Sequence, residues 1–109
     1  MVIASRTLKW QTETGVVDVP ILILAPERAA EGSWACRYEI DWPDGKWIMR
    51  ALGVDAVQAI LSALQMIGAE IYTSDYHKSG SLFFESPGLG YGFPVPASLR
   101  HLLQGDDLD

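Results

Sequence analysis

The 109-residue sequence has one cysteine and two histidines, and these shortages exclude several classes of protein. A lone thiol, Cys36, cannot close an internal disulfide, and the N-terminus lacks the features of a signal peptide, so a cytoplasmic location is expected. Because no CxxC or HExxH spacing occurs, the sequence predicts no zinc site, and we assign no catalytic residue and no cofactor. No segment reaches the ~20 apolar residues of a membrane-spanning helix, so no membrane association is expected.

Basic residues are also scarce. Eight Lys and Arg residues stand against 14 Asp and Glu residues, which gives a formal net charge of −6 at pH 7. A negative protein repels the phosphates of nucleic acid, so nucleic acid is not expected as a partner. The sign of the charge fits a basic protein, a cationic small molecule or a metal, although acidity also serves solubility alone.

Apolar side chains make up 49% of the chain, including four Trp, four Tyr and three Phe residues. This content excludes general disorder, and the length is typical of one domain with its own core. We therefore predict a single α+β domain over residues 1–105, followed by an acidic tail at 106–109 that frays.

The clearest strand signal runs from Trp34 to Trp42. Its apolar residues, Trp34, Cys36, Tyr38, Ile40 and Trp42, alternate strictly with Ala35, Arg37, Glu39 and Asp41. Alternation with period two predicts a strand with one buried aromatic face and one charged face in water. In this phase Cys36 is a buried small residue, not a nucleophile. The Pro43-Asp44-Gly45 segment predicts a turn, and residues 46–52 the second arm of a hairpin.

Two further strands are predicted upstream, at 2–10 and 16–25, joined by a polar turn. Pro20 lacks a backbone N–H, which places the second of these strands at a sheet edge or at a bulge. Residues 26–33 are charged and rich in alanine, and we interpret them as an exposed loop.

A helix is predicted from Asp55 to Tyr72. Asp55 followed by Gln58 forms a variant of the capping box, and apolar residues at three- and four-residue steps, from Val57 through Leu61 to Ile71, define the face expected to pack on the sheet. A second stripe, Ala56, Ala59, Ala63 and Met66, leaves little polar surface. This stripe predicts cover from the C-terminal segment or a homodimer through the helix at 55–72.

The C-terminal third is less regular. Residues 81–85 indicate a fifth strand, and the Gly- and Pro-rich segment 87–94 an irregular loop that Tyr91 and Phe93 hold over the core. Pro96 and the leucines after it predict a short helix that stops at Gly105. The expected architecture is an antiparallel sheet of four or five strands packed on one long helix, with a short C-terminal helix beside it.

The densest set of reactive side chains is Asp75, Tyr76, His77 and Lys78. An imidazole beside a carboxylate can act as a general base, and a phenol or an amine can bind an anion. A ligand pocket between this segment and residues 88–93, with Tyr91 as a wall, is one interpretation. The other is a solvated loop at a helix C-terminus, where His and Lys interact favourably with the helix dipole.

A second candidate surface lies on the charged face of the predicted hairpin. Arg37, Glu39 and Asp41 alternate along one strand, and Arg50 is expected beside them on the next. They form either cross-strand ion pairs or a recognition surface for a charged partner.

The chain as a whole resembles a family of short bacterial proteins known as a domain of unknown function. Three stretches carry the resemblance: Cys36 to Pro43, the predicted helix at Gly53 to Ala59 together with Gln65 to Tyr72, and Gly90 to Pro94. It implies a bacterial source and a single α+β domain, and it transfers no activity and no site residues.

These observations favour a non-enzymatic interaction protein that neutralises or regulates a basic protein. The reason is that the sequence shows no catalytic set of nucleophile, base and orienting group, whereas it is rich in aromatic residues and acidic overall. The alternative is a small-molecule binder or enzyme that uses the pocket between residues 75–78 and 88–93.

Overall fold

A six-stranded antiparallel sheet and one long helix make up most of the fold. The computed structural model describes residues 1–108. The strands and helices are β1 Val2–Thr12, β2 Gly15–Leu24, β3 Glu27–Arg28, β4 Trp34–Trp42, β5 Gly45–Gly53, α1 Ala56–Thr73, α2 Asp75–Lys78 and β6 Leu82–Phe83. Residues 1–108 also contain three 3-10 turns, at Ala30–Gly32, Ala97–Leu102 and Gly105–Leu108. The predicted α+β class is confirmed.

The sheet has the spatial order β5, β4, β2, β1 and β6, and the short β3 lies beside β2 on the same edge of β4. All neighbours are antiparallel. Pro20 lies within β2 opposite Thr7, one residue before the ladder to β4 begins at Ile21. Pro20, which has no N–H to donate, therefore lies in the part of β2 that pairs with β1 alone. From Ile21 the strand also pairs with β4 and is internal to the sheet.

The β4–β5 hairpin forms as the alternation predicts, with register from Trp34 opposite Gly53 to Trp42 opposite Gly45. Cys36, Tyr38 and Ile40 are fully buried, and the thiol pKa of Cys36 is raised by burial. The predicted phase is therefore confirmed. Burial of this face also explains why the cysteine is not an accessible nucleophile.

Helix α1 covers the inner face of β4 and β5. Its start is capped as predicted, since the Asp55 carboxylate accepts from the Gln58 N–H at 2.8 Å and the Gln58 side chain accepts from the Val54 N–H at 2.6 Å. These contacts satisfy two donors that the helix itself cannot pair.

The predicted packing face of α1 is wrong in part. Val57 and Leu61 are 74% and 49% exposed, whereas Ala59 and Ala63 are fully buried. Small residues let the helix backbone approach the sheet closely, so the centre of the alanine stripe is the contact with the sheet. A homodimer through the helix would therefore have to use the face that carries Val57 and Leu61.

The C-terminal segment covers the second half of α1, which is one of the two arrangements predicted for this helix. A side chain at Gly68 would overlap the carbonyl oxygen of Pro94, so only glycine admits this crossing. Tyr91 and Phe93 are buried, which confirms that they hold the Gly- and Pro-rich loop on the core.

Three segments differ from the sequence predictions. Residues 26–33, expected to be a loop, contain β3 and a 3-10 turn, because Glu27 and Arg28 pair with the edge of β4. The predicted C-terminal helix is a 3-10 turn at Ala97–Leu102. Residues 106–108, expected to fray, are part of a further 3-10 turn that Asp107 fastens to the core; Asp109 lies outside the described residues.

No helix within residues 1–108 is both long enough and apolar enough to cross a bilayer.

Candidate functional site

The polar segment after α1 folds as a single helical turn, α2. The Ser74 hydroxyl caps it by accepting from the His77 N–H at 3.1 Å. Asp75 and Lys78 are exposed, whereas Tyr76 and His77 are half-buried and contact different groups. The four residues therefore do not converge on one point, and α2 instead separates an outer aromatic group from an inner hydrogen-bonded one.

The outer group, called the aromatic patch, consists of Trp10 of β1, Trp42 of β4 and Tyr76 of α2. The Tyr76 ring stacks on Trp42 with centroids 4.9 Å apart and an interplanar angle of 5°. It meets Trp10 edge-on, at 4.8 Å and 90°. Because all three side chains are half-buried, the patch combines a packed interior with a surface open to solvent.

Two exposed carboxylates flank the aromatic patch. Asp44 lies in the turn between β4 and β5, and Asp75 is the first residue of α2. The pKa of Tyr76 is raised, first by burial and then by the neighbouring carboxylates of Asp44 and Asp75. Aromatic faces and carboxylates both attract cations, so the combination is suited to a cationic group.

The inner group, called the buried tie, consists of Tyr72, His77, Tyr91 and Asp107. The Tyr72 hydroxyl donates to the Asp107 carboxylate at 2.5 Å, and His77 Nδ1 lies 2.6 Å from the Tyr91 hydroxyl. The rings of Tyr72, His77 and Tyr91 also meet edge-on in all three pairs, with centroids 4.9 to 5.5 Å apart. The buried tie joins the end of α1, α2, the Gly- and Pro-rich loop and the C-terminus.

Asp107 is the anchor of the buried tie. Besides the Tyr72 hydroxyl, its carboxylate accepts from the backbone N–H groups of Tyr91 at 2.8 Å and Gly92 at 2.7 Å. Both carboxylate oxygens are therefore occupied by the fold. This arrangement gives Asp107 a structural role and leaves it poorly placed to act as a base.

The three rings of the buried tie are held neutral. Burial lowers the pKa of His77, which favours the uncharged imidazole. Burial, and then the charge of Asp107, raises the pKa of Tyr91 to about 12. Burial also raises the pKa of Tyr72, and its hydrogen bond to Asp107 acts in the same direction. At physiological pH these rings therefore supply hydrogen bonds and packing without adding charge.

The two loops predicted to form a pocket do meet, through His77 and Tyr91. Their side chains pack against each other. A cleft of about 530 Å³ begins at the next residue of the loop, Gly92. The cleft is lined by Gln65, Gly92, Phe93, Pro94, Val95, Ala97, Arg100, Leu103, Asp106 and Asp107. It includes part of the predicted 88–93 loop and no residue of 75–78. Over residues 1–108, no group of three His, Cys, Asp or Glu side chains is placed to hold a metal ion.

The second predicted surface lies on the outer face of the hairpin. Arg37 is directly opposite Arg50, and Asp41 is opposite Lys46. Glu39 lies 3.4 Å from Arg37 and 3.5 Å from Lys46. The four predicted residues therefore share one face. Half-buried Glu39 forms ion pairs there with the exposed side chains of Arg37 and Lys46, and such pairs near the surface have small energetic value.

Sequence reasoning missed Trp10, Trp42 and Asp44 beside Tyr76, and Tyr72 and Asp107 beside Tyr91. A signal existed for the two tryptophans, since both occupy the inward phase of a strand. No local pattern marks Asp107, whose partner Tyr72 is 35 residues away.

A family model matches residues 4–95, and its description is Domain of unknown function (DUF6968). The chain belongs to this family. The DUF6968 match covers the whole aromatic patch and both flanking carboxylates, whereas Asp107 lies beyond its end. No curated protein and no solved structure matches the chain significantly.

Proposed function

We propose that this DUF6968 protein is a non-enzymatic interaction protein that binds, and so neutralises or regulates, a basic protein. The observation that carries the proposal is the placement of Tyr76 against Trp10 and Trp42 with Asp44 and Asp75 beside them. A Lys or Arg side chain can lay its stem on these rings and direct its charge to the carboxylates.

The charge of the whole chain acts in the same direction. A net charge of −6 attracts a cationic partner over roughly a Debye length, about 8 Å at physiological salt. The aromatic patch then supplies the short-range contact, since rings lose little conformational entropy when they bind. The proposed location is the cytoplasm, a choice supported by the presence of a single, free and buried cysteine, Cys36.

The proposal is tested with octalysine and octaarginine peptides as probes, in isothermal titration calorimetry at low and high salt. We expect weak, salt-sensitive binding to the wild-type protein. The double substitution Asp44→Asn with Asp75→Asn should weaken it about fivefold, because two charges beside the rings are lost while the exposed positions leave the fold intact.

The matched control removes two exposed carboxylates elsewhere, by Glu13→Gln with Glu27→Gln. Both double variants have the same net charge, so a difference between them isolates the site from the overall field. Equal weakening by both, or no binding of either peptide to the wild-type protein, would contradict the proposal.

A second candidate is a small-molecule site in the cleft of about 530 Å³. It is supported by the lining of the cleft, where Arg100 and Asp106 place charged side chains beside the apolar Phe93. A fragment screen by NMR tests this candidate. Hits that shift the amides of Gly92 and Arg100 would support it, and hits confined to other surfaces would not.

A further inference from the structure

The outer edge of β5 is open. β5 pairs with β4 along all nine of its residues, and no other strand within residues 1–108 pairs with its second side. It contains no proline, and its ladder with β4 runs without a register shift. A regular strand with unpaired backbone groups is a template for another strand.

The side chains along this edge are unusually apolar for a free strand. Trp47 and Met49 on the inner face are 40% and 39% exposed, and Ile48 and Leu52 on the outer face are 47% and 55% exposed. Native proteins usually protect such an edge with charged side chains, proline, a bulge or a covering loop. Only Lys46 and Arg50 interrupt the apolar surface here.

We propose that β5 pairs with β5 of a second copy in antiparallel orientation, about a two-fold axis at Met49. The two sheets then form one continuous sheet, and the backbone groups of both open edges are paired. This inference does not depend on the proposed function, because the rings of the aromatic patch lie on other elements.

The register follows from size and charge. An axis at Met49 sets Trp47 against Ala51 of the partner subunit, a large residue against a small one, and Ile48 against Arg50 of the partner subunit. An axis at Ile48 would place Lys46 against Arg50 of the partner subunit. An axis at Arg50 would place that arginine against its own copy. Like charges directly opposite are unfavourable, so the axis at Met49 is favoured over these two neighbouring axes.

Local charge also permits a second copy to approach. The hairpin at 34–53 carries three basic residues, Arg37, Lys46 and Arg50, and three acidic ones, Glu39, Asp41 and Asp44. Its net charge is zero, whereas the whole chain carries −6. Residues 54–109 carry seven acidic and two basic side chains, so a second copy meets less repulsion at the open edge than at the C-terminal half of the chain.

Sedimentation equilibrium up to about 200 µM tests the dimer, a range in which a modest interface is detected. The wild-type protein should dimerise. Ile48→Lys should weaken the dimer about tenfold, since it sets a new positive charge opposite Arg50 of the partner subunit, and the two-fold axis repeats that repulsion once.

Two further variants make the test specific. Val16→Lys, at an outer-face position of similar exposure (50%) on β2, should leave the dimer unchanged. Adding Arg50→Glu to Ile48→Lys should restore the dimer. In the register about Met49, the new lysine at position 48 then lies opposite the new glutamate at position 50 of the partner subunit, and each repulsive pair becomes an attractive one in this register only. A monomeric wild-type protein, an unaffected Ile48→Lys dimer, or failure of the double variant to recover would overturn the proposal.

Discussion

The β4–β5 hairpin and the buried tie are both held by hydrogen bonds, but of different kinds. The hairpin uses backbone groups of residues close in sequence, over nine consecutive pairs. The buried tie uses a few side-chain atoms of residues as far apart as Tyr72 and Asp107. A backbone ladder tolerates many side chains, whereas a side-chain network depends on each member. The outward side chains of the hairpin can therefore vary and form a binding surface without loss of the fold, whereas the side chains of the buried tie cannot.

The largest expected effect is loss of the anchor of the buried tie. Asp107→Ala removes the acceptor for the Tyr72 hydroxyl and for two backbone N–H groups, and should lower the free energy of unfolding by about 3 kcal/mol. Urea denaturation measures it. Asp106→Ala is the matched control, since Asp106 is exposed and its side chain makes no hydrogen bond to any of residues 1–108, and it should cost less than about 0.5 kcal/mol. Equal effects would remove the distinction between the two regions.

A somewhat smaller effect is expected where the C-terminal segment crosses α1. Gly68→Ala should cost about 2 kcal/mol, because the new methyl group overlaps the Pro94 carbonyl. In an uncovered helix the same change would stabilise by up to about 1 kcal/mol through helix propensity. The sign of the change in the urea midpoint of Gly68→Ala distinguishes a covered helix, where the midpoint falls, from an uncovered one, where it rises. A stabilised variant would mean that residues 92–95 do not pack on the helix.

The buried tie also predicts a pH dependence. Because the pKa of His77 is lower in the folded state than its ordinary 6.5, the unfolded chain binds the proton more readily. The contribution of His77 to the free energy of unfolding is therefore fully present above about pH 6.5. It is lost as the pH falls through the lower pKa that His77 has in the folded state. His77→Gln should remove this part of the decline in urea unfolding between pH 8 and 5, and His101→Gln should keep it. An unchanged pH profile in His77→Gln would show that His77 is not buried in the tie.

The smallest effect is expected in the hairpin. Ile48→Lys, measured at low micromolar concentration where any dimer is dissociated, should change the free energy of unfolding by less than about 0.5 kcal/mol, because Ile48 is 47% exposed and its backbone ladder is retained. Chemical denaturation at two protein concentrations provides the check. A loss comparable to that of Asp107→Ala would mean that the hairpin depends on its outward side chains.

The same contrast explains what the sequence could predict. The hairpin follows from strict alternation between Trp34 and Trp42 and from a turn directly after it, and the start of α1 follows from Asp55 and Gln58. Each is a local signal within a few residues. The short strand β3 was missed because two residues carry no period, and they form a strand only when β4 lies beside them.

Prediction of the site was less complete for a physical reason. Asp75, Tyr76, His77 and Lys78 were recognised as a reactive group, but one helical turn directs Tyr76 and His77 to different neighbours. The apolar steps of α1 also misled, because Val57 and Leu61 are more hydrophobic than Ala59 and Ala63, yet close approach of helix and sheet selects the smaller residues. Contacts across 35 residues, such as that of Tyr72 with Asp107, leave no trace in local pattern.

The most direct test of the proposed binding surface uses the four tryptophans as probes. The indole N–H signals of Trp10, Trp34, Trp42 and Trp47 can be assigned by single substitutions in a ¹⁵N-labelled sample and followed as octalysine is added. We expect the signals of Trp10 and Trp42 to move together and saturate, while those of Trp34 and Trp47 stay in place. Shifts confined to Trp34 or Trp47, or no shift at any indole, would contradict it.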